Sequence, residues 1–317
     1  MSAAPEALPT RVQVTEVGLR DGLQNERVVL TTEQKLALAR ALIAAGVREF
    51  EVTSFVSPRA VPALADAAEL VAALRETSGL HLSALVPNLR GAERALEAGV
   101  DSVVLFVSAS ESHNAKNVNR RVEESLAGFE QVARLLEGTG VALRGAIATA
   151  FGCPFEGNVP VRAVTDIARR FADLGASRLS LGDTTGMATP PLVAERVHHL
   201  RTAVSGLPLT LHFHNTRGIG LANVMQGLAL GVDRYESSIG GLGGCPFAPG
   251  ASGNIASEDL AYLLEEMGID TGLELGGLIH AARLASEMMG RPLPAQVSKA
   301  GPRLALSACD AVPTAQG

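Results

Sequence analysis

Tryptophan is absent from this chain, and aromatic residues together supply only 3% of its 317 positions. A core without large rings has to be built from aliphatic and alanine side chains, which suits strands of Val, Leu and Ile covered by helices. Hydrophobic residues make up 47% of the chain, so such a core is available. Cysteine is nearly missing as well. Cys153, Cys245 and Cys309 are too few and too far apart for a disulfide framework or a cysteine zinc site, which points to a reducing compartment. Lysine occurs only at positions 35, 116 and 299, no run of basic residues exists, and the net charge is -6. A nucleic-acid surface, which needs clustered Lys and Arg, is thereby excluded. No stretch approaches the ~18 to 20 uninterrupted apolar residues of a membrane span. The first residues, M-S-A-A-P-E-A-L-P-T-R, lack the apolar core of a targeting signal. The expectation is a cytoplasmic protein with neither membrane nor nucleic acid as partner.

What the chain does have is a repeating alternation. From Arg11 onward, short β-rich runs and amphipathic helical segments follow one another eight times. The strands are expected over 12–17, 49–53, 81–85, 102–107, 142–148, 178–181, 209–214 and 234–238. Thr31 or Thr32 can cap the first helix, with Glu33 in its first turn. Later helices are expected over 63–74, 91–98, 122–136, from Pro160 to Gly175, after Pro190 and Pro191, over 221–230 and over 258–267. Eight strand–helix units predict an α/β fold, the (β/α)8 TIM barrel, with parallel strands inside and helices outside. A doubly wound open sheet is the alternative, but no G-x-G-x-x-G follows the first strand. The barrel is expected over residues 1–270, and residues 271–317 as a short C-terminal extension of one helix, 273–289, and a tail packed on the barrel.

In such a barrel chemistry gathers at the carboxyl ends of the strands. Glu16, Arg20 and Asp21 stand at or beyond the first strand's end, Glu51 lies in the second, and Asp183 closes the sixth. The seventh reads L-T-L-H-F-H-N-T. His212 and His214, two apart on a strand, leave the same face, as a metal-binding pair would. Asp21, His212, His214 and Asn254 form a mixed oxygen and nitrogen set suited to Mg²⁺ or Mn²⁺ rather than to a closed structural zinc. Asp21 could equally be a solvated turn residue, and Asn254 a helix cap near Ser257. Arg20 is a permanent positive charge for a developing enolate or a substrate carboxylate, or else an ion-pair partner of Glu51 or Glu16. Glu51 and Asp183 are read as supports that hold Arg20 and the ligands. Six glycines between Gly240 and Asn254 predict a mobile flap. Cys245 inside it is placed to give or take a proton, although a free cysteine is more often a buried hydrophobe.

These segments resemble those of the 3-hydroxy-3-methylglutaryl-CoA lyase family, within the metal-dependent lyase and Claisen-condensing TIM barrels. The resemblance rests on EVGLRDGLQNE at 16–26, TSFVSPR at 53–59, GCPFEG at 152–157, SLGDTTG at 180–186, HFHNT at 212–216 and GGLGGCPFAPGASGN at 240–254. It implies a carbon–carbon lyase acting on an acyl-CoA, with the four metal ligands above, Arg20 as catalytic arginine and Cys245 as loop cysteine. It also implies an acyl-CoA subsite at Lys116, Asn117 and Asn119, to which Gln24 is added, in a homodimer or larger homo-oligomer. The runner-up activities are a condensing synthase of the citramalate or isopropylmalate type and a silent CoA-binding barrel. Two residues depart from the family pattern: Asn215 stands where the lyases carry Asp, and Arg217 where they carry an aromatic. Together they change the local charge by about +2, which predicts a substrate-binding role for Arg217 and a more anionic or differently shaped acyl group, the alternative being an Arg217 that points away and pairs on the surface.

Overall fold

The computed structural model describes residues 8–244 and 253–305. Among these residues eight parallel strands close into a barrel in sequence order. They are β1 Gln13–Glu16, β2 Glu49–Ser54, β3 His81–Leu85, β4 Ser102–Ser108, β5 Ala142–Ala148, β6 Leu179–Asp183, β7 Leu209–Phe213 and β8 Arg234–Ser237. The helices around them are α1 Thr32–Ala44, α2 Ala67–Arg75, α3 Leu89–Ala98, α4 Glu111–Val118, α5 Val122–Leu136, α6 Val161–Asp173, α7 Pro190–Ala203, α8 Gly220–Ala229 and α9 Ser257–Glu266, followed by α10 Leu275–Met289 and α11 Val297–Ala300.

Local chemistry explains most of these ends. Thr31 caps α1 in a reciprocal box with Gln34, settling the choice between the two threonines. Asn88 caps α3, and Gly99 ends it in the left-handed conformation. The helix α4 lies where the sequence suggested only a connection, and its polar E-S-H-N-A-K-N-V has no apolar stripe to announce it. Its start is nevertheless chemical, since Ser110 Oγ accepts the amide of His113 at 3.1 Å.

The apolar core fills the layer between the outer faces of the strands and the helices, with Phe50, Phe171 and Phe213 fully buried. The expected 273–289 helix is α10, which lies along α1 and reaches the turn Ile239–Gly241. Inside the barrel the ladder sets residues side by side: Phe106 with Ala146, Ala146 with Ser180, Gly182 with His212, and His212 with Glu236. The amino end is closed by a polar plug. Glu49 accepts hydrogen bonds from Arg144 and Arg178, each at 2.7 Å, and from Thr15 at 2.9 Å. Small inward residues above the plug, Ala146, Ala148 and Gly182, leave a cavity of about 510 Å³ open toward the carboxyl end.

Candidate active site

After β1 the chain does not run straight into α1. Residues Gly18–Gly22 form a π-helical turn, with the amides of Asp21 and Gly22 bonded to Val17 O at 2.8 and 3.2 Å. Buried Glu16 fixes where the turn begins by accepting the amide of Gly18 at 2.7 Å. The turn delivers Arg20 and Asp21 to the head of the cavity. Two strands round the barrel, β7 brings His212 inward, and His214 follows just past the strand, bridged to Asn254.

Three residues converge there. His212 Nε2 and His214 Nε2 are 3.1 Å apart, and Asp21 Oδ2 lies 4.0 Å from the first and 3.7 Å from the second. One ligand atom from each of Asp21, His212 and His214 lies within 4.8 Å of the others. Asn254 donates from Nδ2 to Asp21 Oδ2 at 2.8 Å and to Leu242 O at 2.9 Å. Its Oδ1 is buried and has no hydrogen-bond partner among the described residues; the same holds for His214 Nδ1. Asn254 is thus no helix cap, and Asp21 is no solvated turn residue. Facing nitrogen lone pairs, a carboxylate and an orphaned carbonyl oxygen are short of hydrogens to share. Such a set fits a divalent cation bound through oxygen and nitrogen.

Charge around the cluster is balanced locally. The Arg20 guanidinium lies between Glu51, bonded through Nε, and Asp21 Oδ1, 2.6 Å from Nη1. Burial works against ionisation of Asp21, but Arg20 and the two imidazoles outweigh it and hold the carboxyl far below its ordinary range. At Glu51 burial prevails over Arg20 and pushes the group up. Burial also opposes protonation of both histidines. Glu236 and Asp21 overcome it at His212, which is raised, whereas His214 is lowered.

Glu236 had no place in the sequence reading. It faces the cavity from β8, meets His212 Nδ1 at 2.9 Å and accepts from Ser180 Oγ at 3.1 Å. The available signal was a carboxylate inside a strand, next to the strand that carries the histidines.

Other expected residues divide. Gln24 and Asn117 line the cavity. Lys116 lies on the exposed side of α4, its Nζ 4.9 Å from the centroid of the Phe155 ring, and Asn119 ends that helix with φ of 53°. Asp183 lies on the outward side of its strand. The strand β6 runs on to residue 183, so Asp183 pairs with outward Phe213 while Gly182 pairs with inward His212. Its Oδ1 accepts the amides of Met187 at 2.6 Å and Ala188 at 2.9 Å, holding the loop after β6 rather than Arg20 or the ligands. Burial raises it to about 6. Arg217 turns to loop backbone. It donates to Thr185 O and Gly186 O at 3.2 and 2.6 Å and lies outside the cavity lining. Asn215 accepts the amide of Gly220 at 3.0 Å, at the start of α8. The expected charge of the mouth is therefore used on loop backbone. Cys245 lies outside the described residues, although the loop's near stem is tied down by Asn25 Nδ2 donating to Gly244 O at 3.2 Å.

Known proteins match this arrangement. The HMGL-like family model matches residues 11–285. The chain is 43% identical over 288 residues to hydroxymethylglutaryl-CoA lyase YngG of Bacillus subtilis, covering 91% of this chain and 96% of that protein. It is 40% identical over 293 residues to the mitochondrial hydroxymethylglutaryl-CoA lyase of Homo sapiens, covering 92% and 90%. A structure of an HMG-CoA lyase from Acinetobacter baumannii in complex with coenzyme A and 3-methylmalate superposes with a TM-score of 0.91 at 41% identity, over 96% of this chain and 99% of that one. Among the described residues no helix is long and apolar enough to cross a membrane.

Proposed function

The chain belongs to the HMGL-like family, and from that membership and the geometry of its barrel mouth we propose a carbon–carbon lyase. Its substrate is 3-hydroxy-3-methylglutaryl-CoA or a closely related 3-hydroxyacyl-CoA, cleaved to acetyl-CoA and acetoacetate, or a related oxo acid, in a retro-Claisen step. The observation that carries the reading is the convergence of Asp21, His212 and His214, with Asn254 beside them, at the head of a cavity of about 510 Å³. The complex of the A. baumannii lyase with coenzyme A supports an acyl-CoA as the ligand of that cavity.

Asp21, His212, His214 and Asn254 would hold the cation, Mg²⁺ or Mn²⁺, which when bound makes a coordinated hydroxyl more acidic and compensates negative charge on oxygen. The chain's own residues then have defined tasks. The substrate hydroxyl loses its proton to a base as the bond between its carbon and the thioester α-carbon breaks. The electron pair passes to that α-carbon and spreads onto the thioester oxygen, giving an enolate. Arg20, held rigid between Glu51 and Asp21, keeps a full positive charge at the head of the cavity where the enolate oxygen forms. Cys245 is assigned to protonate the α-carbon or, in the reverse direction, to take a proton from it. Gln24 and Asn117 contribute polar contacts from the cavity wall. Lys116 is assigned to the outer part of the coenzyme A moiety.

The test is product analysis. Purified protein with Mg²⁺ and 3-hydroxy-3-methylglutaryl-CoA is expected to release acetyl-CoA and acetoacetate in equal amounts, to stop in chelator and to resume on adding Mg²⁺ or Mn²⁺. Undiminished turnover in chelator would remove the ligand set. No thioester product from any 3-hydroxy-3-methylacyl-CoA would leave only a silent binding barrel.

A further inference from the structure

The two histidines at the head of the cavity are not held alike. His214 Nδ1 is buried without a hydrogen-bond partner among the described residues, whereas His212 Nδ1 meets a carboxylate oxygen of Glu236 at 2.9 Å. That same oxygen accepts the hydroxyl hydrogen of Ser180 at 3.1 Å. A carboxylate offers only lone pairs, so the hydrogen in the contact with His212 must come from the imidazole. The barrel ladder explains why the contact is so direct: His212 and Glu236 are register partners on adjacent strands, both facing inward.

We propose that Glu236 is a positioning residue which holds His212 as its Nδ1–H tautomer, so that the Nε2 lone pair is presented to a divalent cation shared with Asp21 and His214. Without an acceptor at Nδ1, the neutral ring could place its hydrogen on Nε2 instead. There His214 Nε2 at 3.1 Å is ready to accept it, and Asp21 Oδ2 lies 4.0 Å away. A ring in that state has no lone pair to give at the cluster. Glu236 removes the alternative by making Nδ1 the better place for the hydrogen, and it fixes the ring plane at the same time. Glu236 acts through His212 and needs no contact with substrate. Among the described residues a carboxylate contact at Nδ1 belongs to His212 and not to His214, so His212 is the pre-set ligand of the two.

The inference rests on the cation site proposed above, and the experiment separates the two. Mn²⁺ binding to the full chain is followed by electron paramagnetic resonance, for wild type and for Glu236→Ala and Glu236→Asp. The Asp variant keeps the charge but draws the carboxylate back out of reach of Nδ1, so it separates contact from charge. Both variants are expected to melt as cooperatively as wild type and to bind Mn²⁺ about 10- to 100-fold more weakly. Activity of both should recover toward wild type at saturating Mn²⁺. Independently, ¹⁵N-histidine spectra of the metal-free protein, assigned with His212→Gln, should show His212 protonated on Nδ1 in wild type and a mixture of tautomers in both variants. Wild-type binding with variants within about twofold of it, or a wild-type His212 protonated on Nε2, would overturn the role of Glu236 while leaving the cation site standing. Wild type that binds no Mn²⁺ would overturn the cation site and this proposal with it.

Discussion

A single glycine shows how closely the site is assembled. Gly243 has φ of 102°, and a Cβ on it would come within 2.6 Å of Asn254 Nδ2 and 2.9 Å of Asp21 O. Both neighbours belong to the proposed cation site, so this glycine is needed for conformation and for space together. Gly243→Ala is expected to leave the barrel folded and to displace Asn254 or the π-helical turn, at a strain of ~1–3 kcal/mol, which corresponds to a ~5- to 150-fold loss of Mn²⁺ affinity. A calorimetric titration equal to wild type would show that the loop yields without moving the ligands. Arg217 gives the opposite expectation. Its guanidinium bonds Thr185 O and Gly186 O, and Asn215 caps the start of α8, so neither side chain lines the cavity. The double change Asn215→Asp with Arg217→Tyr should therefore lower stability slightly and leave the ranking of kcat/KM over a panel of 3-hydroxyacyl-CoA thioesters as it was. A reversed ranking would return these two positions to substrate selection.

Among the elements, those with a strong local pattern were readable in the sequence and those defined by register were not. The β-branched run S-V-V-L-F-V-S and the pair H-F-H each announce a strand, and His212 and His214 follow from period two alone. Whether Asp183 faces in or out depends on pairing across β6 and β7, which no single strand encodes, and a sixth strand ended at residue 181 hides the question. The inward place of Glu236 is likewise a fact of the β7–β8 register. The turn Ile239–Gly241 was hidden for a related reason: its anchors come from distant elements. Glu16 of β1 accepts the amide of Ile239 at 2.9 Å and Ser257 Oγ at 2.5 Å, while Glu258 of α9 accepts the amide of Gly240 at 3.0 Å. Burial raises Glu16 to about 7 and Glu258 to about 8. Folded values above the ordinary 4.5 mean that the folded state holds these protons more tightly. Their stabilising contribution is complete below pH 4.5 and is lost as pH rises through 7 and 8. Between those limits the loss is up to ~1.4 kcal/mol per pH unit for each group. Glu258→Gln, which keeps the shape and an accepting oxygen, should flatten the fall of the urea midpoint between pH 6 and 9. A wild-type midpoint that is level over that range would contradict the burial argument.

Across the whole molecule the barrel separates its two ends by chemistry. The carboxyl end carries groups with unshared lone pairs and an open cavity, whereas at the amino end Glu49 is saturated by Arg144, Arg178 and Thr15, and Arg144 Nη2 continues to His81 Nε2 at 2.7 Å. Paired charges around Glu49 at one end and, among the described residues, unshared lone pairs at the other are what a fold needs if stability and chemistry are to vary independently. Glu49 also sets the acid limb of stability. Burial works to raise it, but Arg144 and Arg178 outweigh burial and lower it below the ordinary 4.5. A depressed folded value contributes stability above pH 4.5 that disappears as pH falls through the folded value, opposite in sign to Glu16 and Glu258. The protein should accordingly be most stable in mildly acidic solution, between the two limbs. Glu49→Ala tests the separation of the ends. It leaves buried Arg144 and half-buried Arg178 without their shared carboxylate, a change expected to cost ~3–5 kcal/mol. The urea midpoint should fall sharply, and the acid limb of its pH dependence should shrink. Mn²⁺ affinity and kcat, measured well below the new midpoint, should stay near wild type because the plug touches neither the cation cluster nor the cavity mouth. A proportionate loss of kcat in protein that remains folded would mean that the plug sets the positions of β2 and β5 at the far end, and that the barrel transmits strain along its strands.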